Sequence, residues 1–482
     1  LFIQPPYFRE THGLNSVIPS LGLSYLVASL KQHHYHATVL DLEAQRLQFY
    51  SGLWKSWHQH RFFHKVQTLY PQKTHLIGIG PVLSLYAPQA CFLALLLKEK
   101  FPHCRILMGG PHFPKTPEDG YPTSFLTQHP EVDFVFSGEA EYSLIRFLQT
   151  QDQSALWKTI PGFHFRIADR QEGFGPPPQR IQNLEELPFP DRSWYLSSKD
   201  PSTSYFSIPK RTLAGESVPI LASRGCPYPC IFCSSAKTQR YIRSASHIVE
   251  ELQTVATQYH QQHFIFFDDL FIGRTALEKA RIHELCQLLD NTKLNLTWEI
   301  DLRADICHYL GVELLQKMYQ AGLRIINLGL EKKENNALAD LHKHLTSEDI
   351  EKALYTLKSA APFTVCGTFI FGGDSQPKAE IREIVRFAIQ LGLDYASFNP
   401  LVIHTSRLKK QTALLHQKQR GSRLFVTSSE LSPKELEAGV RYAYRKFYFR
   451  LGRLLPRLQK IRQWSDLKKL IAEYYYYWKH LF

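Results

Sequence analysis

Short apolar runs alternate with amphipathic stretches along residues 1–150, in the manner of repeated strand–helix–strand units. The pattern predicts helices at Leu21–Lys31 and Ala90–Lys100. It predicts strands at Ala37–Leu42, Leu76–Gly80, Arg105–Gly110 and Val132–Ser137. Such alternation implies a doubly wound parallel sheet with helices on both faces. Residues 151–215 carry Gly173, Gly175, Pro176, Pro177, Pro178, Pro188 and Pro190 and read as a connector. A second alternating series fills residues 216–407. Its strands are predicted at Ile220–Ser223, Phe264–Phe267, Leu296–Asp301, Ile325–Leu330, Thr364–Phe371 and Tyr395–Asn399. Helical patterns fall between them at Ala245–Gln258, Ala276–Leu289, Val312–Ala321, Ser347–Ser359 and Lys378–Gly392. Six such units favour a partial (β/α)6 barrel over a second open sheet. Residues 408–482 read as helical and basic.

At 482 residues the chain exceeds what one hydrophobic core organises, which agrees with several domains. Its net charge of +13 is unevenly placed. The stretch from Arg407 to Phe482 holds 18 basic against 5 acidic residues, and so accounts for all of it. A solvated amphipathic face is the simplest reading of such a tail. Arg441–Arg450 and the aromatic run Tyr474–Trp478 suit a helix packed on the barrel, with peripheral membrane contact as the second reading. Nucleic acid is not an expected partner. No run approaches the roughly 18 apolar residues of a membrane span. The chain opens at Leu1 on a strand-like run without an initial Met, which leaves room for a short preceding segment.

Five of the eight cysteines stand alone in apolar or helical stretches, so they form no disulfide framework. The other three, Cys226, Cys230 and Cys233, share a CxxxCxxC loop after the first barrel strand. Clustered thiols imply a reducing, cytoplasmic setting. Three thiolates leave the fourth position of a cubane cluster open to an exogenous chelate, whereas a structural zinc loop, the competing reading, fills all four. Pro227 and Pro229 stiffen the loop, and Tyr228 and Phe232 shield it from water.

This loop resembles the hallmark of the radical S-adenosylmethionine superfamily, and the surrounding segments are similar to its cobalamin-binding branch. The resemblance covers most of the chain to about residue 405. It implies a TIM-type partial barrel in which Cys226, Cys230 and Cys233 hold a 4Fe–4S cluster. The open iron would chelate the amino and carboxylate groups of S-adenosylmethionine, and an electron from the cluster would break a carbon–sulfur bond to give a 5′-deoxyadenosyl radical. Further matches supply candidate contacts for S-adenosylmethionine at strand ends. They are Asp268 and Asp269 in Phe266-Phe-Asp-Asp, Glu299 after Trp298, Arg303 with Asp305, and Glu331 in Leu328-Gly-Leu-Glu. Lys343 matches the loop lysine, and Thr368–Asp374 the strand and glycine turn beside the adenine. Taken singly, each acidic residue also reads as a helix cap or surface charge. Two departures stand out. Lys332-Lys333 replaces the branch's Ser-Gly, and Leu401–Ser406 replaces its Pro-Gly-Thr turn.

The segments Gln4-Pro-Pro, Pro19–Leu26, Asp41, Met108–His112 and Asp133–Glu141 resemble the branch's Rossmann-like cobalamin-binding domain. The resemblance makes Gly109, Gly110, Gly138 and Glu139 candidate cofactor contacts, and a scaffold sheet without cofactor is the alternative. No Asp-x-His-x-x-Gly is present, so a bound corrin is expected base-off, with His112 a loop histidine rather than a ligand. The implied activity is methylation of an unactivated carbon of a small-molecule or lipid-like substrate, fed by a flavodoxin- or ferredoxin-type electron donor. Ring formation or rearrangement is the runner-up. A cluster protein that transfers or senses electrons without turning over S-adenosylmethionine is the reading from another class.

Overall fold

The structure is a computed structural model. It describes residues 1–6, 18–45, 55–69, 76–83, 86–113, 125–167, 171–197, 217–372, 377–401, 416–420, 423–427, 433–459 and scattered positions between 461 and 475.

The first half is built from β1 (Phe2–Gln4), α1 (Leu21–Gln32), β2 (Val39–Asp41), α2 (Lys55–Leu69), β3 (Leu76–Ile79), α3 (Ala87–Lys100), β4 (Arg105–Gly109), α4 (Phe125–Gln128), β5 (Phe134–Phe136) and α5 (Glu141–Gln149). Strands β1 to β5 are parallel in the order β2-β1-β3-β4-β5. Side chains alternate across this sheet, and each face therefore builds its own core. Ile3, Ile77, Ile79, Ile106, Met108 and Val135 pack on α2 and α3, while Phe2, Leu107, Phe134 and Phe136 pack on α1 and α5. The stretch expected as connector adds β6 (Phe163–Arg166) and β7 (Glu172–Phe174), which extend the sheet antiparallel beyond β5. Phe163 and Phe165 carry that extension because they fill the second core beside Trp157. Short strands broken by glycine gave little signal in the sequence. The connector closes with a short helix, α6 (Ser193–Leu196).

The second half begins with β8 (Val218–Ile220) and a small antiparallel pair, β9 (Ser223–Arg224) with β10 (Tyr241–Ile242). There follow α7 (Ala245–Tyr259), β11 (His263–Phe266), α8 (Ala276–Thr292), β12 (Thr297–Arg303), α9 (Ala304–Gln320), β13 (Leu323–Glu331), α10 (Asn335–Asp340), α11 (Ser347–Ala360), β14 (Thr364–Phe371), α12 (Pro377–Gln390) and β15 (Tyr395–Pro400). The six main strands are parallel and run in chain order from β8 to β15, as a partial barrel requires. Helix starts are set locally. Ser244 and Thr275 cap α7 and α8, and Thr346 with Asp349 forms a capping box on α11. Outward-facing Trp298, Ile300 and Leu302 join one large core under the helices.

Past the barrel, His416–Arg420 and Arg423–Thr427 form an antiparallel pair, β16 and β17, within a region expected to be wholly helical. Helix α13 (Pro433–Tyr448) then covers the open edge at β15, followed by α14 (Leu451–Gln459). The Tyr448 hydroxyl accepts from the Ala396 N–H at 3.0 Å and donates to the Ala396 carbonyl at 2.8 Å. This side chain thus satisfies edge groups that a seventh strand would otherwise pair. Among the described residues no helix is long and apolar enough to cross a membrane.

Candidate functional site

A cavity of about 1180 Å³ lies between the carboxyl ends of the two parallel sheets. In a 2-1-3-4-5 sheet, ligands bind outside the carboxyl ends where the strand order reverses, here between β1 and β3. The N-terminal wall follows that rule: Gln4, Gly78–Pro81, Met108–Pro111 and Gly138–Glu141 line it, with Leu21 and Tyr25 from α1. Gly109 would accept a Cβ in ordinary contact, 3.6 Å from the Phe136 carbonyl oxygen. Gly110 differs. Its φ is +132°, and a Cβ would lie 2.3 Å from the Val82 nitrogen, so the turn itself demands glycine. Gly138 lines the cavity too, but its missing Cβ makes room for Pro178 of the connector at 2.6 Å.

The opposite wall is the mouth of the barrel. Alternation along β12 and β13 turns Asp301, Arg303, Asn327, Gly329 and Glu331 inward to the cavity. Asn327 donates to Asp301 at 2.6 Å across paired positions of the two strands. The register shifts between Gly329 and Glu331, and Glu331 takes φ +62°. This irregularity presents its carboxylate to Lys343, whose Nζ donates to Oε1 at 2.8 Å. Arg303 donates to the Lys343 carbonyl at 2.7 Å and to Asp305 at 3.0 Å. Its guanidinium also lies 3.7 Å from the centre of the Tyr228 ring.

The cysteine loop is folded by its own backbone and by Asp269. Cys226 N–H donates to Thr238 Oγ1 and Thr238 N–H to the Cys226 carbonyl, each at 2.9 Å. Asp269 accepts from Gly225 N–H at 2.8 Å and from the Ser235 hydroxyl at 2.5 Å, so one carboxylate ties the loop on both sides of the cysteines. Cys226 and Cys230 are buried and Cys233 half-buried; the cavity reaches their loop at Ser234 and Ser235. Burial pushes the Cys226 thiol up, with Cys233, Cys230 and Asp269 adding to the effect, and burial also pushes Cys233 up. Thiols so placed need a cation beside them to persist as thiolates.

Residues 220–388 match the family model described as the Radical SAM superfamily. An uncharacterized methyltransferase of Pyrococcus horikoshii is 26% identical over 387 residues, spanning 79% of this chain and 75% of that protein.

Residues 220–388 are a radical SAM domain.

An anaerobic magnesium-protoporphyrin IX monomethyl ester cyclase of Rubrivivax gelatinosus is 24% identical, over 83% of this chain and 67% of that one. Among solved structures, the cobalamin-dependent S-adenosylmethionine radical enzyme OxsB with aqua-cobalamin and S-adenosylmethionine bound superposes with a TM-score of 0.67. It is 15% identical and covers 99% of this chain and 71% of that one, a likeness of fold. A radical SAM enzyme works with a 4Fe–4S cluster and S-adenosylmethionine. The cysteine loop fits a cluster in its donor set, and the glycine floor fits a flat corrin face. No histidine is among the described residues lining the cavity. His112 donates its backbone N–H to the Val82 carbonyl and rests its ring against Phe113 and Phe125.

Within this radical SAM fold the expected contacts divide. Asp269, Arg303, Glu331, Gly109, Gly110, Gly138 and Glu139 line the cavity. Asp268 does not. It is buried beside the turn from β8 into β9, accepting from Ala222 N–H at 3.1 Å and from the Ser223 hydroxyl at 2.6 Å, and burial raises its pKa from 3.8 to about 6. Glu299 shares the inward face of β12 with Asp301 but sits one layer deeper and is fully buried, outside the lining. Glu139 lines the wall while its carboxylate is held by Arg180 at 2.9 Å and by Ile181 N–H at 2.8 Å. The sequence reading missed the Asp301–Asn327 pair and Arg224, which lines the cavity and donates to Glu141 at 2.7 Å. Period-two counting back from Arg303 would have found Asp301. Lys332, one of the departures from the branch, is buried in an ion pair with Glu380 of α12, which also accepts from Gly372 N–H. Asp374 and residues 402–406 lie outside the described residues.

Proposed function

We propose that this radical SAM protein is a cobalamin-dependent methylase acting on an unactivated carbon of a small-molecule or lipid-like substrate, with Cys226, Cys230 and Cys233 as the cluster ligands. The observation that carries the reading is one continuous cavity with a cysteine loop and polar strand ends on one wall and a glycine floor on the other. When bound, the cluster, S-adenosylmethionine and corrin supply one-electron carbon–sulfur cleavage and a transferable methyl group. The chain's own residues position and shield. Arg303 over Tyr228, and Lys343 5.9 Å from the Phe232 ring, hold the loop aromatics against the barrel mouth and keep water from the thiols. Asp301 with Asn327, and Glu331 with Lys343, offer acceptors and donors suited to ribose hydroxyls and to the ammonium and carboxylate of a methionine. A bound corrin would be expected base-off, and the described lining would offer it no histidine ligand.

The electron donor is a flavodoxin or ferredoxin and the setting the cytoplasm. Ring formation is the second reading, favoured by the similarity to a cyclase. Anaerobic reconstitution followed by S-adenosylmethionine, dithionite and hydroxocobalamin tests the proposal. It expects cluster absorbance, a base-off corrin spectrum, and 5′-deoxyadenosine that Cys230→Ala abolishes. A cluster without 5′-deoxyadenosine and without corrin retention would instead favour a redox protein with no turnover.

A further inference from the structure

Arg224 stands two residues before Cys226, in the two-residue strand β9, yet its guanidinium leaves the barrel. It donates to Glu141 at 2.7 Å, lies 3.6 Å from Glu139, and sits 4.8 Å from the centre of the Tyr25 ring. Both carboxylates belong to the β5–α5 junction and Tyr25 to α1, so all three partners come from the wall opposite the cysteine loop. Burial works against the charge on Arg224, and Glu141 and Glu139 more than offset it, holding the guanidinium above its ordinary pKa. On the barrel side the same short segment is fixed by Asp268 through Ala222 and Ser223, and by Asp269 through Gly225. A Cβ at Gly225, where φ is +98°, would come within 2.2 Å of the Gln239 carbonyl oxygen, so the chain between Arg224 and Cys226 has little room to yield. Residues 222–226 are therefore held from both domains at once.

We infer that Arg224 is a positioning residue that couples the N-terminal wall to the cysteine loop, so that what occupies the glycine floor and what the loop holds constrain each other across the cavity. The identity of the floor's occupant as a corrin rests on the reading above; the coupling does not. A planar guanidinium holding one carboxylate, facing another and lying on a ring transmits both distance and orientation, which a lysine ammonium cannot do. Coupling of this kind is reciprocal, and it is read equally well from either wall.

The test uses the full-length chain, reconstituted anaerobically, with Glu141→Gln on the far wall and Arg224→Lys on the loop. Both variants are expected to carry wild-type iron. In the absence of corrin, amide hydrogen exchange across residues 222–243 should rise about tenfold in each, because a buried charge has lost its partner. Tyr25→Leu, which leaves the ion pairs in place, should give a smaller rise at the same amides. The exchanged pair Arg224→Glu with Glu141→Arg should recover protection beyond either single change. On adding hydroxocobalamin without reductant, exchange across 222–243 should slow in the wild type and not in Glu141→Gln. Wild-type exchange across 222–243 in both charge variants would overturn the coupling, as would an undiminished slowing by hydroxocobalamin in Glu141→Gln. A wild-type protein that retains no corrin would count against the corrin reading alone, with the exchange measurement still deciding the role of Arg224.

Discussion

Gly109 and Gly110 are neighbours on the cavity floor, and the structure separates what each glycine is for. At Gly109 a methyl group would meet Phe136 O at 3.6 Å and Phe136 Cβ at 3.9 Å, ordinary contacts, and would otherwise stand in the cavity. Gly109→Ala is therefore expected to keep the fold and even to gain about 0.4–1 kcal/mol, because the unfolded chain loses freedom. A flat corrin seated on that floor would meet the same methyl group directly. Extra carbon forced into a packed contact costs about 1–3 kcal/mol, which weakens binding about 5- to 150-fold. At Gly110 the reasoning reverses. The φ of +132° and the 2.3 Å approach to Val82 nitrogen mean that Gly110→Ala must strain backbone, so stability should fall whether or not ligand is present. The assay is a titration of anaerobically prepared protein with hydroxocobalamin, followed by absorbance, beside thermal melts of both variants. Unchanged corrin affinity in Gly109→Ala, and again in Gly109→Val, would show that the corrin does not sit on this floor.

Other expectations concern what holds the site in place. Tyr448→Phe keeps the ring but strands the buried Ala396 N–H and carbonyl, and should cost about 2–4 kcal/mol in urea unfolding; a loss below about 0.5 kcal/mol would mean that the barrel edge is satisfied another way. Glu251 is fully buried between Arg192 of the connector and Arg243 before α7, at 2.5 Å from each, so Glu251→Gln leaves two guanidinium groups uncompensated. A loss of about 3–5 kcal/mol is expected, and a melt indistinguishable from wild type would contradict it. Asp268 is raised by burial from 3.8 to about 6, so its stabilising contribution is present below about 3.8 and is lost as pH rises through about 6. Asp268→Asn should therefore gain on the wild type by up to about 3 kcal/mol between acid and neutral pH, and urea midpoints of the cluster-free proteins at both ends of that range check it.

The cysteine loop, the six barrel strands with the five helices between them, and the first parallel sheet were legible because each is a local pattern. Thiol spacing, apolar periodicity and cap residues lie within a few positions of one another, and strands such as Thr364–Phe371 fall where the pattern predicts them. Strands β6 and β7 were not legible, since two short runs among glycines and prolines become strands only once β5 offers an edge.

The sequence by itself determined the chemistry available: three clustered thiols, glycines at the ends of the N-terminal strands, carboxylates and an arginine at the ends of barrel strands, and a basic, aromatic tail. Only the tertiary structure decided how that chemistry is spent. Glu299, Asp301 and Arg303 share one face of β12 by simple alternation, but the first lies a layer deeper in the barrel and is buried, while the second reaches the cavity. Asp268 and Asp269 are adjacent in sequence, yet one turns to Ala222 and Ser223 and the other to Gly225 and Ser235 of the cysteine loop. Glu139 and Glu141 meet Arg224 only because the two parallel sheets face one cavity. A charge's partner is set by distance in space, and across 83 residues the local pattern carries no record of it.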